Sequence, residues 1–192
     1  MVKKGLKIYL FRHGRTKDNV QGKFSGWRNS KLVKSGKDDA KIIALRLKDK
    51  KIDIAFQTEL SRSKDTLKEV LKFHPECREI ITANRVIERN YGELSGKTHL
   101  DVVKETSPAQ YDKWHRGWDN RPPQGESFQD VEKRVKKFID NLKKYMKKHQ
   151  VNVAISAHGN SIRLFRKIIE HKSKKDCVSW FIPYDDYFEY DV

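Results

Sequence analysis

Two kinds of hydrophobic pattern alternate along this chain. Short segments rich in Ile, Val, Phe and Tyr, bounded by polar or turn-forming residues, predict β-strands over residues 6–11, 53–57, 79–82, 152–156 and 188–190. Elsewhere apolar residues recur three and four positions apart, which predicts helices over residues 36–50, 61–73 and 160–170 and a longer helix that begins at Ser127. Strands and helices therefore follow one another through most of the sequence.

The alternation is interrupted once, at about residues 88–125. The periodicity weakens there, and glycine and proline residues punctuate the segment. Long irregular insertions in compact domains often cover a functional site. We therefore expect a lid-like insertion of loops and short helices over about residues 88–125.

Strands that alternate with helices are typical of a mostly parallel sheet with helices on both faces. The expected fold class is α/β, with a three-layer α/β/α arrangement that forms a single domain over residues 1–192. A chain of 192 residues buries enough apolar surface to fold without a disulfide or a structural metal. Cys77 and Cys177 have no metal-ligand spacing, so we expect two reduced thiols.

The composition adds a strong positive charge. The chain has 42 Lys and Arg against 26 Asp and Glu, a formal charge of +16, and much of the excess lies on the predicted long helix. Its cations interrupt apolar positions that form a core-facing stripe. A solvated lysine-rich helix face explains this excess, and a surface that binds nucleic acid or another polyanion is the alternative.

Membrane and export signals are not evident in the sequence. No stretch approaches the ~20 consecutive apolar residues that cross a bilayer. The basic start, Met1-Val2-Lys3-Lys4, is not followed by the apolar core of a signal peptide. We expect a cytoplasmic protein with no membrane partner.

Candidate catalytic groups come directly after two predicted strands. Arg12-His13-Gly14 follows the first strand, and His158-Gly159-Asn160 follows the strand at residues 152–156. Ligands of open α/β sheets bind at the carboxyl ends of the strands, so each histidine is placed where an anion would be held. With Arg62 and Glu88, the set supplies a nucleophile, cations for phosphoryl oxygens and a proton donor.

These residues lie in motifs that resemble the histidine phosphatase superfamily and, within it, the cofactor-dependent phosphoglycerate mutases. The matching motifs run in order through the chain: Leu10-Phe11-Arg12-His13-Gly14, Asn19 with Phe24-Ser25-Gly26-Trp27, Gln57-Thr58-Glu59-Leu60-Ser61-Arg62, Glu88-Arg89-Asn90-Tyr91-Gly92, Trp114-His115-Arg116-Gly117, Arg121-Pro122-Pro123-Gln124-Gly125-Glu126-Ser127 and Ala157-His158-Gly159-Asn160-Ser161.

The resemblance implies a role for each matching residue. His13 would be the nucleophile that becomes phosphohistidine, Glu88 would move the proton, and three residues would bind the transferring phosphoryl group: Arg12, Arg62 and His158. The remaining phosphate and substrate contacts would be Asn19, Ser25, Gly26, Asn160, Tyr91 and Arg116. The implied reaction interconverts 3-phosphoglycerate and 2-phosphoglycerate in glycolysis. A small phosphorylated substrate is the expected partner, with 2,3-bisphosphoglycerate as phosphoryl primer and no metal.

Departures from the mutase pattern keep a second activity open. His99 stands where the mutases usually carry a lysine, and His115 replaces the first member of an Arg-Arg pair. Imidazole would weaken bidentate anion binding, and affinity would then fall as pH rises. The sequence also stops at Val192, without most of the tail that covers the active site in many mutases, so we expect water to compete for the phosphohistidine. The alternative activity is hydrolysis of small phosphomonoesters.

A non-enzymatic binder of nucleic acid or polyanions is the third possibility, because aromatic residues alternate with cations in one short segment: Trp114, Arg116, Trp118 and Arg121. The family resemblance assigns this segment to a substrate lid, so no nucleic-acid partner is expected, while a homo-oligomer stays open. We also expect packing roles for Trp27 and Trp180, and exposed side chains at His74, His149 and His171.

Overall fold

A five-stranded sheet forms the centre of the molecule. The computed structural model describes residues 5–192, so the basic start Met1-Val2-Lys3-Lys4 lies outside the described residues. The strands are β1 (Lys7–Arg12), β2 (Ile54–Gln57), β3 (Glu79–Thr82), β4 (Val153–Ala157) and β5 (Tyr187–Asp191). Their order is β3-β2-β4-β1-β5, with only β5 antiparallel to its neighbour. The predicted strands and the mostly parallel sheet are confirmed.

Eight α-helices connect and cover the strands in the described part of the chain. They are α1 (Lys17–Val20), α2 (Lys34–Leu47), α3 (Ser61–Leu71), α4 (His99–Glu105), α5 (Pro108–Arg116), α6 (Phe128–His149), α7 (Gly159–Ile169) and α8 (Lys174–Ser179). The longest, α6, begins after Ser127 as predicted, with a capping box in which Ser127 and Asp130 cap each other's backbone N–H groups. Its apolar stripe is buried, and its lysines lie mainly on the exposed side.

Alternation along the strands decides which helices cover each face of the sheet. Ile8 and Leu10 of β1 point into one apolar cluster with α6 and α7, whereas Tyr9 and Phe11 point into a second cluster with α2 and α3. Successive side chains of a strand face opposite sides, so one segment serves both layers. The three-layer α/β/α fold is therefore confirmed.

The sheet order brings the two candidate strand ends together. Strands β1 and β4 are parallel neighbours, with Arg12 directly opposite Ala157. The next residues in each chain segment are His13 and His158, and the backbone N–H of His13 donates to the carbonyl of Ala157 at 3.1 Å. Two residues that are far apart in sequence thus share one edge of the sheet.

Segment 88–125 folds as a 3₁₀ turn (Gly92–Leu94), helices α4 and α5, and a proline-rich turn. Its first and last parts pack tightly, since a Cβ at Gly92 would lie 2.0 Å from the carbonyl oxygen of Pro123, and the φ of Gly92 is +52°. Only glycine satisfies both conditions. The insertion is therefore a closed structure rather than an extended loop.

Some expectations about single residues were wrong. His74 is 2% exposed, because its ring lies in the fold beside Glu76, whereas His149 and His171 are exposed as expected. Trp27 is 46% exposed, and its indole N–H donates to the carbonyl of Glu88 at 2.7 Å instead of packing in the core.

Both cysteines are free thiols. Among residues 5–192, no helix has the length and apolar composition needed to traverse a bilayer.

Candidate active site

His13 lies at the centre of the candidate site, at the carboxyl end of β1. It is 2% exposed, and its Nδ1 lies 2.8 Å from the carbonyl oxygen of Gly14. On the other side of the ring, the Nε–H of Arg62 donates to Nε2 of His13 at 3.2 Å. A carbonyl only accepts and a guanidinium only donates, so Nδ1 carries the proton and Nε2 carries the lone pair.

The charge state of His13 follows from the same surroundings. Burial, followed by the nearby charges of Arg62 and Arg12, lowers the pKa of His13 well below its usual value. The ring is therefore neutral at neutral pH, with the Nε2 lone pair available to attack an electrophile. This is the state that a nucleophilic imidazole requires.

Arg62 is held rigidly against the nucleophile. It is the second residue of α3 and is 1% exposed, and its two terminal nitrogens donate to the carbonyls of Arg28 and Gly26, each at 2.7 Å. Burial lowers the pKa of Arg62 to about 10, which leaves it charged at neutral pH. A fixed cation beside Nε2 can stabilise charge on a transferring group.

His158 directly follows β4, the strand next to β1, and is the N-cap residue of α7. Its ring centroid lies 5.0 Å from that of His13. Its Nε2 lies 2.8 Å from the hydroxyl of Thr58, while burial keeps its pKa well below the usual value. Three buried polar atoms at the site have no partner among the described residues: Nδ1 of His158, Nε of Arg12 and Oγ of Ser25. Buried polar atoms of this kind are suited to a polar ligand.

Glu88 approaches the same pocket from the insertion. Its Oε1 accepts hydrogen bonds from the backbone N–H groups of Arg89 at 2.7 Å and Asn160 at 3.2 Å, and the residue is 7% exposed. Within residues 5–192, Glu88 forms no ion pair with Arg89 or Arg85, although both are close in sequence. The side chain of Arg89 turns the other way, to backbone carbonyls of Trp114, His115, Asn120 and Glu126.

A network around a second, partly buried arginine positions the Glu88 backbone. Arg134 of α6 binds both carboxylate oxygens of Glu126 at 2.9 Å and also donates to the carbonyls of Ile87 and Glu88. Sequence reasoning counted Arg134 among the solvated cations of α6, because nothing in the helix periodicity separates it from the neighbouring lysines.

These groups border one small pocket of about 150 Å³. Its lining includes most of the residues expected from the resemblance, and it brings together Arg12, Asn19, Ser25, Gly26, Glu88, Tyr91, His99, His115, Arg116 and Asn160. His13, Arg62 and His158 lie almost fully buried next to these residues. Cavities of this size accept a molecule about as large as benzene, so the ligand portion inside is small.

Two further cations line the pocket, and the motif comparison missed both: Lys23 and Arg163. Arg163 donates to Oδ1 of Asn160 at 2.8 Å, and the amide nitrogen of Asn160 donates to the hydroxyl of Tyr91 at 2.9 Å. Burial lowers the pKa of Arg163 to about 10, so it remains a cation at neutral pH. Its position three residues after Asn160 on α7 was the available signal, since i and i+3 share a helix face.

The two histidines that stand where the mutases usually carry cations, His99 and His115, form part of an aromatic wall. The ring centroids of His99 and His115 are 5.0 Å apart, and Phe24 lies 4.2 Å from His99 and 5.6 Å from His115. Burial, followed by the charge of Arg116, lowers the pKa of both rings, most strongly for His115. Both rings are therefore neutral at neutral pH. Because they lose their protons at acidic pH, the expected loss of anion affinity with rising pH occurs in the acidic range.

The aromatic and cationic side chains around residues 114–121 have other contacts. Trp118 stacks on Phe128 with an interplanar angle of 12°, and Arg121 forms a bidentate ion pair with Asp130 at 2.6 Å. A surface for single-stranded nucleic acid needs exposed rings in a row. These contacts count against the nucleic-acid alternative for this segment.

Comparison with known proteins identifies the family. The family model described as "Histidine phosphatase superfamily (branch 1)" matches residues 8–183, almost the whole chain. This chain belongs to the histidine phosphatase superfamily. Within that superfamily, it is 33% identical to a 2,3-bisphosphoglycerate-dependent phosphoglycerate mutase of Mesorhizobium japonicum over 175 residues, which cover 89% of this chain and 84% of that protein.

A second relative and two solved structures extend the comparison. The mutase of Bartonella henselae with the same name is 31% identical over 90% of this chain and 85% of its own length. The α-ribazole phosphatase of Shigella flexneri superposes with a TM-score of 0.84 at 25% identity, covering 97% of this chain and 91% of that one. A mycobacterial glucosyl-3-phosphoglycerate phosphatase shares the fold at a TM-score of 0.81 and 18% identity, covering 97% of both chains.

Proposed function

We propose that this protein is a phosphoglycerate mutase, which interconverts 3-phosphoglycerate and 2-phosphoglycerate through a phosphohistidine at His13. The observation that carries the proposal is the number of cations around one small pocket. Arg12 and Arg62 can serve the phosphoryl group near His13, and three more cations remain for a second anionic group: Lys23, Arg116 and Arg163. A carboxylate or a second phosphate on a three-carbon substrate fits this arrangement.

The proposed reaction starts from a primed enzyme. Nε2 of His13 attacks the phosphorus of 2,3-bisphosphoglycerate, an N–P bond forms, and the P–O bond to the glycerate breaks. Glu88 donates a proton to the departing oxygen and later removes one from the hydroxyl that is phosphorylated. Transfer to 3-phosphoglycerate gives enzyme-bound 2,3-bisphosphoglycerate, which returns its other phosphoryl group and leaves 2-phosphoglycerate.

The surrounding residues support the transfer without taking part in covalent chemistry. Charge on the phosphoryl oxygens is balanced by Arg12 and Arg62, and Nδ1–H of His158 can donate to one of them. Asn160 and Tyr91 are already joined by a hydrogen bond, so they form a preformed wall for the rest of the substrate. We propose glycolysis in the cytoplasm as the setting, with 2,3-bisphosphoglycerate as the primer.

Hydrolysis of small phosphomonoesters is the second candidate, and the aromatic wall favours it. His99 and His115 are neutral where the mutases usually have cations, so the grip on a glycerate carboxylate is weaker. A substrate that leaves early exposes phosphohistidine to water. The α-ribazole phosphatase that shares the fold is named for a reaction of this kind.

Phosphorus NMR distinguishes the two activities. The protein is incubated with 3-phosphoglycerate, with and without a small amount of 2,3-bisphosphoglycerate. Primer-dependent appearance of 2-phosphoglycerate supports the mutase, whereas release of inorganic phosphate alone supports the phosphatase. His13→Ala should abolish both, while His149→Ala, which changes an exposed histidine, should retain the wild-type activity. Turnover by His13→Ala would overturn the phosphohistidine assignment.

A further inference from the structure

The segment between α8 and β5 lies against the active-site arginine of β1. The carbonyl of Ile182 accepts a hydrogen bond from Nη1 of Arg12 at 3.0 Å, although the two residues are 170 positions apart. Two residues further on, the ring of Tyr184 lies under the same guanidinium, with 3.8 Å between Cζ of Arg12 and the ring centroid. Tyr184 therefore directly contacts Arg12, which is predicted to bind the phosphoryl group.

The same guanidinium also packs closely on the start of α7. A Cβ built at Gly159 would lie 3.4 Å from both Cζ and Nη2 of Arg12. The guanidinium is thus held by a carbonyl and an aromatic face, and a side chain at position 159 would press against it. Its Nε is left as a buried donor with no partner among the described residues.

The ring of Tyr184 is also close to the nucleophile. Its centroid lies 6.4 Å from that of His13, in an edge-on orientation with an interplanar angle of 64°. A flat guanidinium that stacks on an aromatic ring keeps its N–H groups in a plane parallel to that ring. A flexible cation with no stacking partner has no such fixed orientation. The contact therefore controls the direction in which Arg12 donates.

We propose that Tyr184 is a positioning residue, which holds the Arg12 guanidinium so that its unpartnered Nε–H is available to the phosphoryl group carried by His13. The proposal rests on the phosphohistidine function proposed above. It holds for a mutase and for a phosphatase, because both require Arg12 to bind the same group. Tyr184 acts through Arg12 and needs no contact with the substrate.

A double-mutant cycle on Arg12 and Tyr184 tests this coupling. The probe is orthovanadate, an analogue of the transferring phosphoryl group, and its dissociation constant is measured by inhibition of phosphomonoester turnover or by fluorescence titration. Tyr184→Leu, which removes the aromatic face, should weaken binding about tenfold, or roughly 1.4 kcal/mol. Tyr184→Phe, which keeps the ring, should restore most of that affinity.

In an Arg12→Ala background, Tyr184→Leu should change the affinity less than twofold, because the group that it positions is gone. The matched control is Phe181→Leu, because Phe181 belongs to the same segment and is 73% exposed. This variant should bind orthovanadate as the wild type does. Thermal melts identify any variant that is merely unstable. Arg15 lies 5.3 Å from the same ring, and the cycle with Arg12 separates its contribution.

The outcomes separate this inference from the proposed function. If the wild type forms phosphohistidine and Tyr184→Leu binds orthovanadate with unchanged affinity, the positioning role is refuted. Equal losses in the presence and absence of Arg12 would also refute it, because Tyr184 would then act independently of the arginine. If the wild type forms no phosphohistidine with any phosphomonoester, the proposed function fails first.

Discussion

Replacement of Thr58 by valine tests whether a residue outside the pocket lining controls His158, which we propose donates a hydrogen bond to a phosphoryl oxygen. Thr58 is fully buried, and its hydroxyl lies 2.8 Å from Nε2 of His158. Valine has nearly the same shape, so the change removes the hydroxyl and leaves the packing intact. When the hydroxyl donates to Nε2, the proton of the neutral ring resides on Nδ1, the atom that would face a phosphoryl oxygen.

The size of the effect can be estimated from burial. Nε2 of His158 would be left without a partner inside the protein, which costs about 2 kcal/mol for a neutral group. For a chain of this length, that loss lowers the melting temperature by roughly 4–8 °C. The ring would also lose its tautomer preference. We expect the rate of phosphoryl transfer to fall by about ten- to hundredfold, less than the 10²- to 10³-fold loss typical of deleting an oxyanion donor.

The assay combines initial rates with thermal melts for the wild type, Thr58→Val and Thr58→Ser. Serine keeps the hydroxyl, so it should retain most of the activity and stability. Unchanged rate and melting temperature in Thr58→Val would refute this role of the hydroxyl. Equal damage by serine and valine would also refute it, because the methyl group rather than the hydroxyl would then be the important feature.

Two further predictions concern stability. Arg89→Met should lower the melting temperature and the activity together, since it removes the buried donor shared by four backbone carbonyls, those of Trp114, His115, Asn120 and Glu126; a variant with wild-type melting and activity would contradict this. The free energy of unfolding should also fall as pH drops below about 6.5, by up to ~1.4 kcal/mol per pH unit for each histidine whose folded pKa is lowered, because the unfolded chain binds more protons there. Urea titrations at several pH values measure this slope. His115→Phe should reduce the slope, and the exposed His149→Gln should leave it unchanged. A flat profile would refute the buried neutral state of four histidines: His13, His99, His115 and His158.

The strands and the two candidate histidines could be predicted because their signals are local. Alternation within residues 6–11 defines a strand with two apolar faces, and the glycine after His13 marks its end. That β1 and β4 run in the same direction follows from the general rule for alternating strands and helices, whereas their adjacency is given by the structure. No tertiary contact was needed to place His13 and His158 at the same edge of the sheet.

Charge states and orientations could not be predicted in this way. The neutral state of His99 and His115 depends first on burial, and Phe24, which packs against both rings, comes from a distant segment of the chain. Likewise, Arg134 looks like its neighbouring lysines in sequence, and only the approach of residues 85–88 to α6 makes it a structural residue. Burial is set by what packs against a side chain, so local periodicity carries no information about it.

The sequence by itself determined the element order, the layered fold and the chemical identity of the groups at the strand ends, because these depend on residues within one turn or one strand. Only the tertiary structure decided that Thr58 meets His158 across 100 positions and that Tyr184 meets Arg12. Partners so far apart become neighbours only after the sheet has formed and brought the ends of its strands together. The tautomer of each histidine and the direction of each arginine therefore follow from packing.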